Sequence, residues 1–391
     1  MIDYSKVLNK TVTDIKPSGI RKFFDIAATM DDVISLGVGE PDFQTPWQIR
    51  KAGINSLERG KTKYTSNKGY DKLIKEISLY MERKYSLTYS PEDEILVTVG
   101  GSEAIDAAIR AIVSPGDEVI IPQPSYVCYE PITRLAGGVP VIINTKAEND
   151  FKVTPEELKN AISERTKVLI LPYPCNPTGA IMEQEDIEAL AEVLKDTNIM
   201  VLSDEIYSEL TFSGKPHCPV ASVEGMKERT ITINGFSKAF SMTGWRLGFA
   251  CGPKEIIKQL IKIHQYAIMC APTTSQHAAV EALRNCDEDV AYMLKEYNMR
   301  RRMMVKGFNK IGLTCREPKG AFYAFPSIQS TGMTSEEFCE KLLASKKVAV
   351  VPGTAFGDCG EGFIRASYCY SVEHITEALK RIEEFLKEIK Q

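Results

Sequence analysis

Ile95-Leu96-Val97-Thr98-Val99-Gly100-Gly101-Ser102-Glu103-Ala104-Ile105-Asp106-Ala107-Ala108-Ile109-Arg110-Ala111-Ile112 changes its hydrophobic pattern halfway along. The first five residues form a short apolar run, the length of a buried strand. After the paired glycines, Ala104, Ile105, Ala108, Ile109 and Ile112 recur at helical spacing. A strand that passes through a glycine turn directly into a helix is the repeating unit of an α/β sheet.

The same alternation continues outward. Val119-Ile120-Ile121 reads as a strand closed by Pro122, and Val139 to Ile143 as another after Gly137-Gly138. Thr154-Pro155-Glu156-Glu157 is a capping box with proline at the first helical position, opening a helix ahead of the strand Val168 to Leu171. A helix over Glu183 to Lys195, a strand over Ile199 to Ser203, and strands at Ile231 to Ile233 and Leu247 to Ala250 complete the series. The expectation is an α/β domain with a mostly parallel sheet and helices on both faces, over residues 46–286. From residue 287 the pattern becomes a long helix, short strands (Phe322 to Phe325, Val348 to Val351, Phe363 to Ser367) and a last helix from Ser371. In that helix Ile375, Leu379, Ile382, Phe385, Leu386 and Ile389 share one face. Residues 1–45 lack the alternation and are expected to join residues 287–391 in a small α+β domain.

Composition narrows the function. The chain has 391 residues, 43% hydrophobic, enough for a large core and more than one domain. Its 48 basic and 52 acidic residues give a net charge of −4, with no basic block to mark a nucleic-acid face. The apolar runs are strand-sized, too short to span a bilayer, and the first residues do not read as a signal peptide. Ten cysteines without a C-x-x-C pair and only four histidines argue against a metal site and fit free thiols in a reducing cytoplasm.

Open α/β sheets bind ligands at the carboxyl ends of their strands, where the candidate residues fall. Gly100-Gly101-Ser102 opens a helix whose free N–H groups suit a phosphate, or is simply a tight turn. Asp204 ends an apolar run; such a carboxylate pairs with a heterocyclic N–H⁺ or with a neighbouring loop. Asn176, set in Tyr173-Pro174-Cys175-Asn176-Pro177-Thr178-Gly179, lies on a turn stiffened by two prolines. Lys238 lies among Ile231, Ile233, Phe236, Phe240, Met242 and Trp245. A lysine in that company is partly desolvated, which favours the neutral amine that can form a Schiff base. Arg246 can fork onto a phosphate or make a structural ion pair, and Arg365, within Phe363 to Ser367, can meet a substrate or a protein carboxylate.

Taken together with Ser35-Leu36-Gly37-Val38-Gly39-Glu40-Pro41-Asp42-Phe43 and Tyr64-Thr65-Ser66-Asn67-Lys68-Gly69, the order and spacing of these motifs resemble the class I aminotransferases. These are pyridoxal-phosphate enzymes of fold type I, and the similarity is to their aspartate, aromatic and N-acetyl-diaminopimelate subgroup. The resemblance implies a large domain with a mostly parallel seven-stranded sheet, a small α+β domain, and pyridoxal 5'-phosphate as cofactor. It implies that Lys238 forms the Schiff base and moves the α-proton, and that Asp204 keeps the pyridine nitrogen protonated. Asn176 and Tyr207 resemble the pair that holds the phenolate oxygen, and Tyr126 the aromatic stacked on the ring. Gly101, Ser102, Ser237 and Arg246 resemble the phosphate ligands, joined by Tyr64 from a neighbouring subunit of a homodimer. Arg365 resembles the fork for the substrate α-carboxylate, with Gly39, Asn176 and Tyr126 beside it. Some acidic-substrate members carry a lysine at the Ser102 position, so serine here argues against a simple aspartate specialist.

The implied activity is transfer of an amino group from an L-amino acid, of aspartate or aromatic and bulky type, to a 2-oxo acid such as 2-oxoglutarate, by ping-pong chemistry in the cytoplasm. A carbon–sulfur β-lyase shares the same lysine, aspartate and arginine. A non-catalytic pyridoxal-phosphate sensor is the reading from another class; such regulators carry a basic DNA-binding domain ahead of this pattern. Ile15, Ile20, Phe23 and Phe24 suggest an apolar flank near the entrance, or core residues anchoring the first segment.

Overall fold

The computed structural model describes residues 1–17, 19 and 30–389. Its centre is a seven-stranded sheet. The strands are β2 (Ile95–Thr98), β3 (Glu118–Gln123), β4 (Val139–Asn144), β5 (Thr166–Leu171), β6 (Met200–Asp204), β7 (Thr230–Gly235) and β8 (Gly248–Cys251). Their order across the sheet is β2-β8-β7-β6-β5-β3-β4. Only β8 runs antiparallel to its neighbours, so β2, β3, β4, β5, β6 and β7 all point their carboxyl ends the same way.

Both faces of this sheet are covered, which is why inner strands such as β5 and β6 read as near-continuous apolar runs. Successive side chains of β5 serve opposite cores. Val168 and Ile170 pack with Ile105, Ala108, Leu202, Ile231 and Ile233 on one side. Leu169 and Leu171 pack with Ile187, Leu190 and Val201 on the other. The 101–112 helix covers the first face and the Gln184–Leu194 helix the second. The capping box at Thr154 forms as expected: Thr154 accepts from Glu157 N, and Glu157 reaches back to the Thr154 N–H.

Two strand readings change. Pro122 does not close β3, which runs on to Gln123. Pairing with β5 stops at Ile120 opposite Leu169, and β3 continues against β4 alone. The run Val348 to Val351 divides into β10 (Val348–Ala349) and β11 (Val351–Pro352). β10 pairs with β1 (Ile34–Ser35), while β11 pairs with β12 (Ile364–Ser367), so the chain changes sheet at Val350. β12 also pairs with β9 (Tyr323–Ala324), making a small three-stranded sheet. The Val372–Glu388 helix, capped by Ser371, buries Ile375, Ile382, Phe385 and Leu386 as its pattern predicts. Of the four apolar residues assigned to an entrance flank, Ile15 is half-buried; Ile20, Phe23 and Phe24 lie outside the described residues.

Candidate active site

A cavity of about 400 Å³ opens where the carboxyl ends of β2, β3, β5, β6 and β7 converge. It is lined by Gly101 and Ser102 after β2, Tyr126 after β3, Asn176 after β5, Asp204 and Tyr207 at the end of β6, and Ser237 and Lys238 after β7. Arg246, just before β8, and Gly39 and Arg365 complete the set expected from the sequence. Tyr64 alone is elsewhere, 81% exposed on this chain.

The Lys238 amine donates to the Gly39 carbonyl at 2.7 Å and lies 5.6 Å from the centre of the Phe322 ring. Desolvation in that apolar surround pulls its pKa down to about 8. Asp204 is buried; its Oδ2 accepts from the Tyr129 hydroxyl at 2.8 Å and its Oδ1 from the Ile206 N–H at 3.3 Å. Burial pushes this carboxyl up to about 6, against the pull of those two donors. The Tyr207 hydroxyl sits 2.9 Å from that of Tyr323.

Arg365 is 2% exposed. Its Nη1 donates to Asn176 Oδ1 at 2.8 Å and its Nη2 to the Gly37 carbonyl. The guanidinium lies 4.4 Å from the Tyr323 ring and 4.8 Å from that of Phe356. Its Nε has no partner among the described residues. A buried fork with unspent donors is suited to a carboxylate. Gly39 has to be glycine here, since a Cβ would come within 2.1 Å of the Tyr323 hydroxyl. At Gly100, φ is +79° and a Cβ would press on Arg246 Nη2 at 2.8 Å. That glycine lets the arginine lie against the start of the 101–112 helix, where N–H groups and guanidinium make an anion cradle.

Pyridoxal phosphate carries an aldehyde, a phenolic oxygen, a basic ring nitrogen and a phosphate, and the residues present fit each. Lys238 offers an amine of lowered pKa. Tyr207 and Asn176 offer polar groups, and Asp204 offers a buried carboxylate that a ring N–H⁺ would stabilise. Gly101, Ser102 and Arg246 offer the anion cradle.

Two tyrosines that line the cavity escaped the reading of the sequence. Tyr129 is buried and spends its hydroxyl on Asp204. Tyr323 bridges Tyr207 and Arg365. The signal for Tyr323 was a lone hydroxyl in the apolar run Phe322 to Phe325, because a buried tyrosine needs a partner. Cys175 is buried, its thiol pushed up to about 11 by burial, which fits packing and not nucleophilic attack.

Fold and cavity together define a pyridoxal-phosphate enzyme of fold type I. Residues 31–382 match the family described as aminotransferase class I and II. The chain is 54% identical over 379 residues to a Bacillus subtilis protein named as an aminotransferase, YugH, covering 97% of this chain and 98% of that one. It is 45% identical to an aspartate aminotransferase of Pyrococcus abyssi, over 96% of this chain and 97% of the relative. Among solved structures, an aromatic aminotransferase from Pyrococcus horikoshii superposes with a TM-score of 0.90 at 42% identity, covering 95% of this chain and 99% of that one. The chain belongs to the class I and II aminotransferase family. It is a pyridoxal-phosphate-dependent aminotransferase acting on amino and 2-oxo acids. Among the described residues no helix is long and apolar enough to cross a membrane.

Proposed function

We propose a homodimeric, cytoplasmic enzyme that moves the amino group of aspartate or of an aromatic or bulky L-amino acid to 2-oxoglutarate. The observation that carries this reading is the meeting of Lys238, Asp204 and Arg365 on one cavity. Relatives named for aspartate and for aromatic substrates support both donor classes. Serine at position 102 keeps the site from being fully basic. The exposure of Tyr64 supports a role on a neighbouring subunit's phosphate. The pairing of β1 with β10 supports a division into a small domain, 1–45 with 287–391, and a large domain, 46–286.

When bound, pyridoxal phosphate supplies an aldehyde and an electron-withdrawing ring. Lys238 would hold the aldehyde carbon through Nζ and, once released by substrate, carry the α-proton. Burial brings its pKa down to about 8, so the neutral amine is easier to reach near neutral pH than in an exposed lysine. Asp204 would hold a proton on the ring nitrogen, with Tyr129 orienting the carboxylate. Tyr207 and Asn176 would donate to the phenolic oxygen, and Tyr126 would cover the ring face. Gly101, Ser102, Ser237 and Arg246 would seat the phosphate. Arg365 would fork onto the α-carboxylate, with Gly39 leaving room for it, so that the α-hydrogen faces Lys238.

A half-reaction panel tests the reading. Holoenzyme is mixed with single L-amino acids and the loss of the cofactor's visible absorbance is timed. Aspartate, phenylalanine or tyrosine should react fastest; alanine outpacing all three would reject the substrate assignment. Pyruvate released from cysteine or cystathionine at a comparable rate would favour the β-lyase.

A further inference from the structure

Glu103 is the third residue of the 101–112 helix, and the N-cap before it, Gly100, has no side chain to cap with. The carboxylate turns back instead. Its Oε2 accepts from the Val99 N–H at 2.5 Å, at the point where β2 has ended. Its Oε1 accepts from Nδ1 of His264, also at 2.5 Å. His264 is 1% exposed on the Lys254–Ala267 helix, which packs on the 101–112 helix. Its Nε2 has no partner among the described residues, so the ring's only bond is the one to Glu103. One carboxylate thus ties the end of β2, the start of one helix and the last turn of a second. Thr98 secures the turn from the other side, its Oγ1 donating to the Gly100 carbonyl at 3.0 Å.

We infer that Glu103, held in place by His264, is a positioning residue for the cofactor phosphate: it sets the Val99–Ser102 turn so that the N–H groups of Gly101 and Ser102 present together. The inference rests on the proposed seat of the phosphate at Gly101, Ser102 and Arg246. A helix start leaves its first N–H groups without intrahelical acceptors, and they bind an anion well only when held in one arrangement. Glu103 is not among the residues that line the cavity, so its effect has to pass through that turn.

The test compares pyridoxal phosphate with pyridoxal, which lacks the phosphate, by absorbance titration of the apoenzyme. Glu103→Ala should weaken pyridoxal phosphate about 10- to 100-fold, the scale of losing hydrogen bonds to a charged group, and leave pyridoxal within about 2-fold. Glu103→Gln keeps an acceptor for Val99 and should stay within about 3-fold of wild type for both ligands. His264→Ala should weaken pyridoxal phosphate alone, by roughly 5-fold. Equal losses for the two ligands, or an unchanged ratio in Glu103→Ala, would overturn the inference. If Glu103→Ala does not fold, Glu103→Asp carries the same expectation, being too short to reach both partners. Arg246→Ala separates the two ideas. If it lowers affinity for pyridoxal phosphate alone while the Glu103 variants do not, the seat stands and the positioning role fails. If Arg246→Ala also spares the ratio, the seat itself is misplaced.

Discussion

Lys238 and Arg365 are two cations on the same cavity, and the two regions that carry them treat charge in opposite ways. Lys238 sits at the end of the central sheet with one acceptor among the described residues, the Gly39 carbonyl. Arg365 sits in the small sheet with Asn176, the Gly37 carbonyl and two aromatic rings around it. Burial lowers both pKa values. For the amine, the fall to about 8 makes loss of a proton easy near neutral pH. The guanidinium starts so high that it stays charged whatever its surroundings. The strand ends therefore hold a cation that can switch, and the small sheet holds one that cannot. Proton transfer needs the first kind and grip on a carboxylate needs the second.

Removing the switchable cation should have the largest effect. Lys238→Ala should lower turnover by on the order of 10⁴-fold or more, since it removes both the covalent link and the proton carrier. The visible absorbance of lysine-bound cofactor should vanish with it. Transamination at the wild-type rate would exclude Lys238 from the chemistry. Next comes the permanent cation. Arg365→Ala should lower kcat/KM about 10²- to 10³-fold for amino and oxo acids alike, because both present the same carboxylate. Arg365→Lys should recover little, as an ammonium lacks the planar fork. Full rescue by lysine would mean that charge alone, and not geometry, is what the small sheet supplies.

The two regions also differed in how legible they were. Every strand of the central sheet was visible in sequence: β5 and β6, buried on both faces, are apolar over most of their length, and even the half-exposed edge strand β4 keeps a short apolar run. Asp204 was visible because it closes such a run, Asn176 because two prolines stiffen its turn after β5, and Lys238 because apolar residues surround it in the loop after β7. The small sheet was harder. β9 has two residues, and the run 348–351 serves two sheets, so no local period reports its pairing. Tyr323 and Tyr129 were missed because their partners, Arg365 and Asp204, are distant in sequence, and a tyrosine in an apolar run looks like core until its hydroxyl is placed.

The switchable cation should also cost stability, with a definite pH dependence. In the unfolded chain Lys238 has an ordinary lysine pKa of 10.5; in the fold it is about 8. Below pH 8 both states carry the proton and the fold bears the whole desolvation cost. Between 8 and 10.5 the unfolded chain binds more protons, so stability rises with pH, and above 10.5 the cost is gone. Lys238→Met should therefore stabilise the apoenzyme below pH 8, by at most about 3 kcal/mol, with the gain vanishing by about pH 10.5. Urea denaturation of both proteins at pH 7 and pH 10.5 measures it. A gain of equal size at both would mean that better packing, and not charge burial, is responsible.

Tyr323 is where the two regions touch, and the smallest expected effect is the most discriminating. Its ring lies on Arg365 and its hydroxyl on Tyr207, so the two contacts can be removed separately. Tyr323→Phe keeps the ring beside the guanidinium and removes only the hydroxyl pair. One hydrogen bond is worth about 0.5–1.5 kcal/mol, so kcat should fall roughly 3- to 10-fold. KM for amino and oxo acids should hold, because Arg365 keeps its place. Tyr323→Leu removes the ring as well and should raise KM for both substrates. If Tyr323→Phe instead raises KM and spares kcat, the hydroxyl serves the carboxylate grip and not Tyr207, and the division of labour between strand ends and small sheet is not the one the contacts describe.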